Sequence, residues 1–449
     1  MQYTGQFIKF AGIILFTVAL LPLQAWGQDF STSVTMGHDP NILESAISMP
    51  DQFYQWELSL SKDLDFNQFQ LSASYDGSLQ MYRDQQGRNF YQHSLVVSPS
   101  YIFGHSDDDD ESSNDPPDST TNNDDSSGVV NKIPPPPPPK VVPDYPPDSL
   151  DHVLYSAFFY SSRTDKDEFD QYDNAHPGGW LLYRFPISAK FNLRPSVGIS
   201  SWNFENVDAL SNTENFASLM LGAWNSSINW IEGGATIGEV NYLYSRTYYD
   251  SVRIGNPGHG KKGAGGGQLR VDSLTFSNPS VDQITWRIAV NKKFFNSTEL
   301  KLGYAYFGPP SSEARVLPPQ FTNSVGRSKE LVSLTGVNEF YDDHYAYQGS
   351  AFTAHFDQPF LFDLLLQGDF EIQQKEFTSP ALNLVDSVVA PRRLDHRFSG
   401  SFTLSKSFPV FINGKLIAHL VYSYLRNSSN ADYFVFDKSV ISFGLELTY

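Results

Sequence analysis

The sequence predicts an all-β chain closed into a transmembrane antiparallel up-and-down barrel of about sixteen strands, fourteen to sixteen being compatible with the pattern. Three observations carry that expectation. Apolar and polar residues alternate with a period of two along nearly the whole chain. Short turns and long polar loops alternate between the strands. The final stretch, SVISFGLELTY (439–449), holds the cleanest alternation of all, where a soluble domain usually frays.

From the N-terminus, residues 1–27 read as a signal peptide. Lys9 supplies the basic region, AGIILFTVALLPL (11–23) the apolar core, and Ala25 and Gly27 the small residues before a cut that leaves Gln28 first. The apolar run is shorter than the roughly 20 residues of a membrane-crossing helix. Residues 28–104 follow as the first barrel strands. FSTSVTMG (30–37) is an ascending strand, HDPNILESAISMPD its loop, and the next strand descends from Phe53 into the turn at 61–66.

Residues 105–150 interrupt the pattern. From Asp107 to Asp151 there are eleven Asp and one Glu against Lys132 and Lys140, a net of −10 out of the chain's −19. The acidic half cannot bury enough surface to fold, and Pro134–Pro139 form a stiff polyproline segment. Strand parity puts this disordered insert on the short-turn, periplasmic side; a tolerated insertion is the first reading of it, and a tether or docking arm for a periplasmic partner the second.

The remaining strands occupy 151–449. ITWRIAVN opposes Ile284, Trp286, Ile288 and Val290 to Thr285, Arg287, Ala289 and Asn291. ELKLGYAYF, DLLLQGDFEI, HRFSGSFTL and KLIAHLVYSY repeat the habit. ISAKFNL, NKKFFNSTE and KSFPVFINGK are short connections. RTDKDEFDQYDNAHPGG, the Gly-rich 255–267 and PPSSEARVLPPQ are long ones. Sorting by length in this way marks a chain that crosses a bilayer with strands.

Composition agrees. The chain has no cysteine, is 15% aromatic against 18% charged, and is acidic, which argues against nucleic acid as a partner. An exported, cysteine-free chain points to the bacterial envelope, and the barrel to the outer membrane. The closing alternation Ile441, Phe443, Leu445, Leu447, Tyr449 then has a purpose. The last strand pairs with the first, and Tyr449 lies at headgroup depth. Phe443, Leu445, Leu447 and Tyr449 resemble the C-terminal signal by which outer-membrane proteins are recognised by the barrel-assembly machinery. That machinery and outer-membrane lipid are therefore expected partners. A narrower resemblance rests on TMGHDPNILES (35–45), with Gly37, Asp39 and Asn41 as matching positions, and on the closing hairpin from Asn427. Both are similar to the barrels of surface lipoprotein assembly modulators, which implies an export-associated role.

The lumen is the expected site of function. Glu57, Asp76, Arg184, Arg194, Arg287, Lys301, Asp369, Glu371 and Glu446 fall on the polar parity of their strands, where charged rings would set ion selectivity. A porin-like channel for small solutes is the first expectation; a structural or export-associated barrel, with lumen charges in internal salt bridges, is the second. An enzyme is not expected, nor a cofactor or a metal. GNPGHGKK (255–262) has phosphate-loop spacing but Lys262 where Ser or Thr must hold magnesium. Asp342, Asp343 and His344 could activate water at the rim, as in barrels resembling omptins, but no second carboxylate pair can be assigned. His419 and Ser423 share a face, yet it is the lumen face, where a lipid hydrolase would not place them. The Asp107–Asp110 run lacks the glycine turn and closing Glu of a calcium loop.

Overall fold

The computed structural model describes residues 29–41, 50–103, 151–166, 173–205, 211–225, 229–242, 246–254, 269–276, 280–294, 297–311, 347–378, 381–382, 389–390, 392–410, 414–430 and 434–448. The first nine strands are β1 (Asp29–Asp39), β2 (Asp51–Phe66), β3 (Phe69–Tyr82), β4 (Phe90–Phe103), β5 (His152–Asp165), β6 (Asn174–Ser188), β7 (Phe191–Phe204), β8 (Asn212–Asn225) and β9 (Asn229–Tyr242). After the hairpin β10 (Arg246–Ile254) and β11 (Leu269–Phe276) come β12 (Ser280–Lys293), β13 (Glu299–Phe307), β14 (Tyr347–Phe360) and β15 (Leu364–Phe377). A second hairpin, β16 (Ala381–Leu382) and β17 (Val389–Ala390), precedes β18 (Leu394–Pro409), β19 (Lys415–Ser429) and β20 (Phe436–Thr448).

Sixteen of these strands pair in chain order into one closed antiparallel barrel, and β20 returns to β1. The two hairpins form separate two-stranded sheets in the connections at the long-loop end. A strand of 14 residues, such as β3, is about 47 Å long and rises about 36 Å when tilted by roughly 40°. That exceeds an apolar band of about 25 Å, so the strand ends stand clear of the hydrocarbon.

Tight connections gather at one end. Asn67, Asn229, Ser297, Phe362 and Asp363 have positive φ, and all five lie in or beside the short turns. Such turns use the left-handed region because it matches the twist of the flanking strands. Residues 105–150 lie outside the described residues, but the strand ends that flank them belong to this end as well. Phe103 and His152 are direct partners across β4 and β5, so the chain leaves and re-enters the wall at one point.

Burial separates the two faces of the wall. The inner surface is concave, so side chains converge and cover one another; the outer surface is convex and leaves them apart. On β20, Lys438, Val440, Ser442 and Gly444 are buried, while Ile441, Phe443 and Leu445 between them are exposed. The exposed face is thus the apolar one, the reverse of a soluble protein and the arrangement that lipid requires. Aromatic rings border it. Phe66, Phe69, Tyr101, Phe103, Phe191 and Phe408 face outward at the short-turn end, and Tyr54, Tyr91, Tyr306 and Tyr424 at the other.

Inside, the face is not uniformly polar as the alternation suggests. Ile102, Val153, Tyr155, Ala157 and Trp180 form an apolar cluster on the inner side of β4, β5 and β6, with Phe159, Leu182 and Phe216 against it. Glycine makes room for such rings. At Gly37 a Cβ would lie 2.6 Å from the Phe53 ring, so the bulk of β2 is accommodated by the absence of a side chain on β1.

Candidate functional site

The ladder fixes where each predicted lumen residue points. Directly opposed residues of an antiparallel pair share a face. Glu57 opposes Ser33, which opposes Glu446 on β20; Asp76 opposes Ser59. Arg287 opposes Ala305, Lys301 opposes His355, and His355 opposes Asp369. Glu371 opposes Thr353, Arg184 opposes Val153, and Arg194 opposes Met220. All nine lie on the concave face.

They divide by sign around the ring. Arg184, Arg194, Arg287 and Lys301 stand on β6, β7, β12 and β13. Asp369, Glu371, Glu446, Glu57 and Asp76 stand on β15, β20, β2 and β3, an arc that runs through the closure. The division is not pure: Glu232 and Glu299 lie among the cations, and His355 and His419 among the carboxylates.

Local partners decide how much charge each residue presents. Arg194 is ion-paired to Glu232 and its guanidinium lies 5.3 Å from the Trp230 ring centre. Lys301 is 3.1 Å from Glu299, with its side chain 54% exposed. Arg184 is buried. Arg287 is exposed and makes no ion pair among the described residues. On the acidic arc, Glu57 accepts hydrogen bonds from Ser33 Oγ at 2.8 Å and Gln55 Nε2 at 2.6 Å. Asp76 accepts from Ser59 Oγ at 2.6 Å and is exposed. Glu446 meets His419 Nε2 at 3.2 Å. Asp369 meets His355 Nδ1 at 2.7 Å, and the other ring nitrogen is 3.1 Å from Asp357. The Asp369 side chain remains 48% exposed.

Sequence reading missed Asp357, His355 and Glu232 as members of this wall, while its lumen-face placement of His419 agrees with the ladder. His355 and Asp357 are two apart on β14, so their shared face was readable in AFTAHFDQPF. Their meeting with Asp369 depends on register, which one strand does not reveal. A second set of charges lies nearer the long-loop end. Arg163 pairs with Asp165 at 2.7 Å, Arg393 with Asp395, and Lys438 with Asp39 at 3.3 Å. Phe90 flanks Arg163, and Phe377 and Phe434 flank Arg393, so these ions are packed away and offer little to a solute.

The motifs weighed as chemistry fall out differently. His419 and Ser423 lie on the inner face, in rungs with Ser405 and Ser401. GNPGHGKK, Asp342, Asp343, His344, the Asp107–Asp110 run and Tyr449 lie outside the described residues. Among the described residues, no group of three or more His, Cys, Asp or Glu side chains could hold a metal ion.

A closed sixteen-strand wall with an apolar convex face, aromatic borders and a charged concave face defines a transmembrane β-barrel of the bacterial outer membrane. No family model matches the chain, and no curated protein does. Solved structures of other barrels resemble it loosely. CdiB from Acinetobacter baumannii has 9% identity and a TM-score of 0.39, over 94% of this chain and 60% of CdiB. OccK8 (OprE) from Pseudomonas aeruginosa has 7% identity and a TM-score of 0.40, over 94% of this chain and 98% of that one. OprD from the same organism has 8% identity and a TM-score of 0.37, over 94% and 95%.

Proposed function

We propose that the protein is a porin-like channel of the outer membrane that admits small solutes. The observation that carries this reading is the exposure of inward charges at the wall. Arg287 and Asp76 are exposed, and the side chains of Lys301 and Asp369 are about half exposed although they point into the barrel. A wall of this size encloses more space than side chains fill, and water-exposed charges on its concave face favour an aqueous path. Cations on one arc and carboxylates on the other would orient a polar solute and bias the ions that accompany it.

The test is conductance of the purified barrel in planar bilayers. Stepwise currents are expected, and Arg287→Glu with Lys301→Glu should move the reversal potential towards cations while the barrel still folds. Trp286→Glu or Ile288→Glu, on the lipid face, should instead impair assembly, since a charge there costs up to about 2–4 kcal/mol near the midplane for the basic residues and somewhat less for acids.

A second reading is favoured by the insert. Both its flanks, Phe103 and His152, lie at the short-turn end, where an acidic and Pro-rich arm would meet a periplasmic partner. With the resemblance at Gly37, Asp39 and Asn41, this supports an export-associated or structural barrel. A silent but well-inserted protein in the bilayer assay selects it over the channel.

A further inference from the structure

The convex face of β3, β4 and β5 carries a polar group that the lumen does not explain. His93 points outward and is exposed. It opposes Gly77 on β3 and Ser162 on β5, and the Tyr75 hydroxyl lies 2.8 Å from its Nδ1, with the two rings stacked at 6.1 Å. Gly77 keeps the space under the tyrosine free: a Cβ there would be 2.8 Å from the Tyr75 hydroxyl oxygen.

Depth makes the placement meaningful. From the long-loop end, the outward residues of β4 are Tyr91, His93, Leu95, Val97, Pro99, Tyr101 and Phe103. Tyr91 belongs to the upper aromatic border, and His93 lies about 5 Å below it for a strand tilted roughly 40°. This is the level at which headgroups give way to acyl chains. On the same face, Leu79 and Leu95 lie beside it on β3 and β4, while the β5 side is lined by the hydroxyls of Thr164, Ser162 and Tyr160.

The hydrogen-bond inventory leaves this pair incomplete by itself. A neutral imidazole and a phenol share one hydrogen between Nδ1 and the hydroxyl, and either Nε2–H or the phenol O–H then remains as a donor. A cationic imidazole donates Nδ1–H to the phenol and leaves both donors free. Hydrocarbon satisfies neither; an anionic oxygen satisfies both, and the Ser162 hydroxyl is the next donor along the rung. We propose that Tyr75, His93 and Ser162 form an outward-facing site for the phosphate of an outer-leaflet lipid headgroup.

The experiment uses the full-length, detergent-purified barrel and bisphosphorylated lipid A as the probe, with retained lipid read by native mass spectrometry. Wild type should retain the lipid, and His93→Leu and Tyr75→Phe should each weaken retention about tenfold, the worth of one charge-assisted hydrogen bond. Both variants must run as heat-modifiable barrels; Leu95→Ala, one position deeper on the same face, should retain lipid as wild type does. Equal retention by wild type and His93→Leu overturns the site, as does equal retention of lipid A stripped of its phosphates. Displacement by inorganic phosphate at concentrations equal to the lipid overturns the lipid as the source and leaves a free-anion site.

Discussion

Cutting the Asp39–Lys438 ion pair should open the barrel at its closure. β1 and β20 share eight paired positions, from Ser31↔Thr448 to His38↔Ile441, the shortest ladder of the wall among the described residues. Just beyond it, Lys438 Nζ lies 3.3 Å from Asp39 Oδ2, with side chains 3% and 6% exposed, and Asp39 Oδ1 also accepts the Asn41 backbone N–H at 2.8 Å. Asp39→Ala removes the carboxylate 3.3 Å from a buried ammonium, and breaking one side of a buried ion pair costs about 3–5 kcal/mol. Against a total stability of about 5–15 kcal/mol that is a large share. Replacing both ions by apolar groups of similar volume, Asp39→Leu with Lys438→Met, removes both charges and should recover most of the loss. The assay is urea unfolding in detergent micelles, read by heat-modifiable mobility. Asp39→Ala within about 0.5 kcal/mol of wild type would refute the reasoning, because surface substitutions alone reach that range. So would a double variant as weak as the single one.

Other outcomes follow from the same structure. Arg287→Ala should shift the reversal potential more than Lys301→Met, because Glu299 already offsets the lysine at 3.1 Å; planar-bilayer recordings in a salt gradient give the order. Deleting Tyr449 should slow insertion and leave chain in the periplasm, measured as the ratio of heat-modifiable to unfolded protein in cell fractions. Cysteines at Ser126 and Gly265, introduced into a chain that has none, should differ towards a membrane-impermeant maleimide on whole cells, with labelling at 265 and not at 126. Replacing residues 104–151 by a six-residue turn between Phe103 and His152 shortens the loop about eightfold. That should stabilise the barrel by up to about 2 kcal/mol, seen as a higher urea midpoint.

Period-two alternation made the wall legible because its convex face must satisfy lipid at every strand. ITWRIAVN and KLIAHLVYSY could not be misassigned without putting Arg287 or His419 in hydrocarbon. The count of sixteen followed from turn parity, including FSTSVTMG as β1. The inner face was harder to read. Nothing inside must exclude water, so Ile102, Val153 and Trp180 could gather there without breaking the alternation beyond local exceptions. Pairings such as His355 with Asp369 or Arg194 with Glu232 arise from register between strands, which depends on turn length to the residue. The outward His93 was passed over for a related reason. In FYQHSLVV it reads as one polar letter in a polar stretch, and only the ladder brings Tyr75 and Ser162 beside it.

Closure by β1 and β20 also imposes a schedule. Asp39 and Lys438 are separated by 399 positions, so the first strand to emerge during synthesis is the last to acquire its second neighbour. Until then both ends of the sheet present rows of unsatisfied amides and carbonyls, the templates on which chains recruit copies of themselves. Such distant contacts form slowly, since a long polymer segment must be gathered before they return any energy. Throughout transit, the same apolar convex residues that suit the bilayer face water. The ring shape thus ties yield to escort: overproduction should exhaust holding chaperones before it exhausts membrane area, and surplus chain should accumulate as aggregate with β1 unpaired.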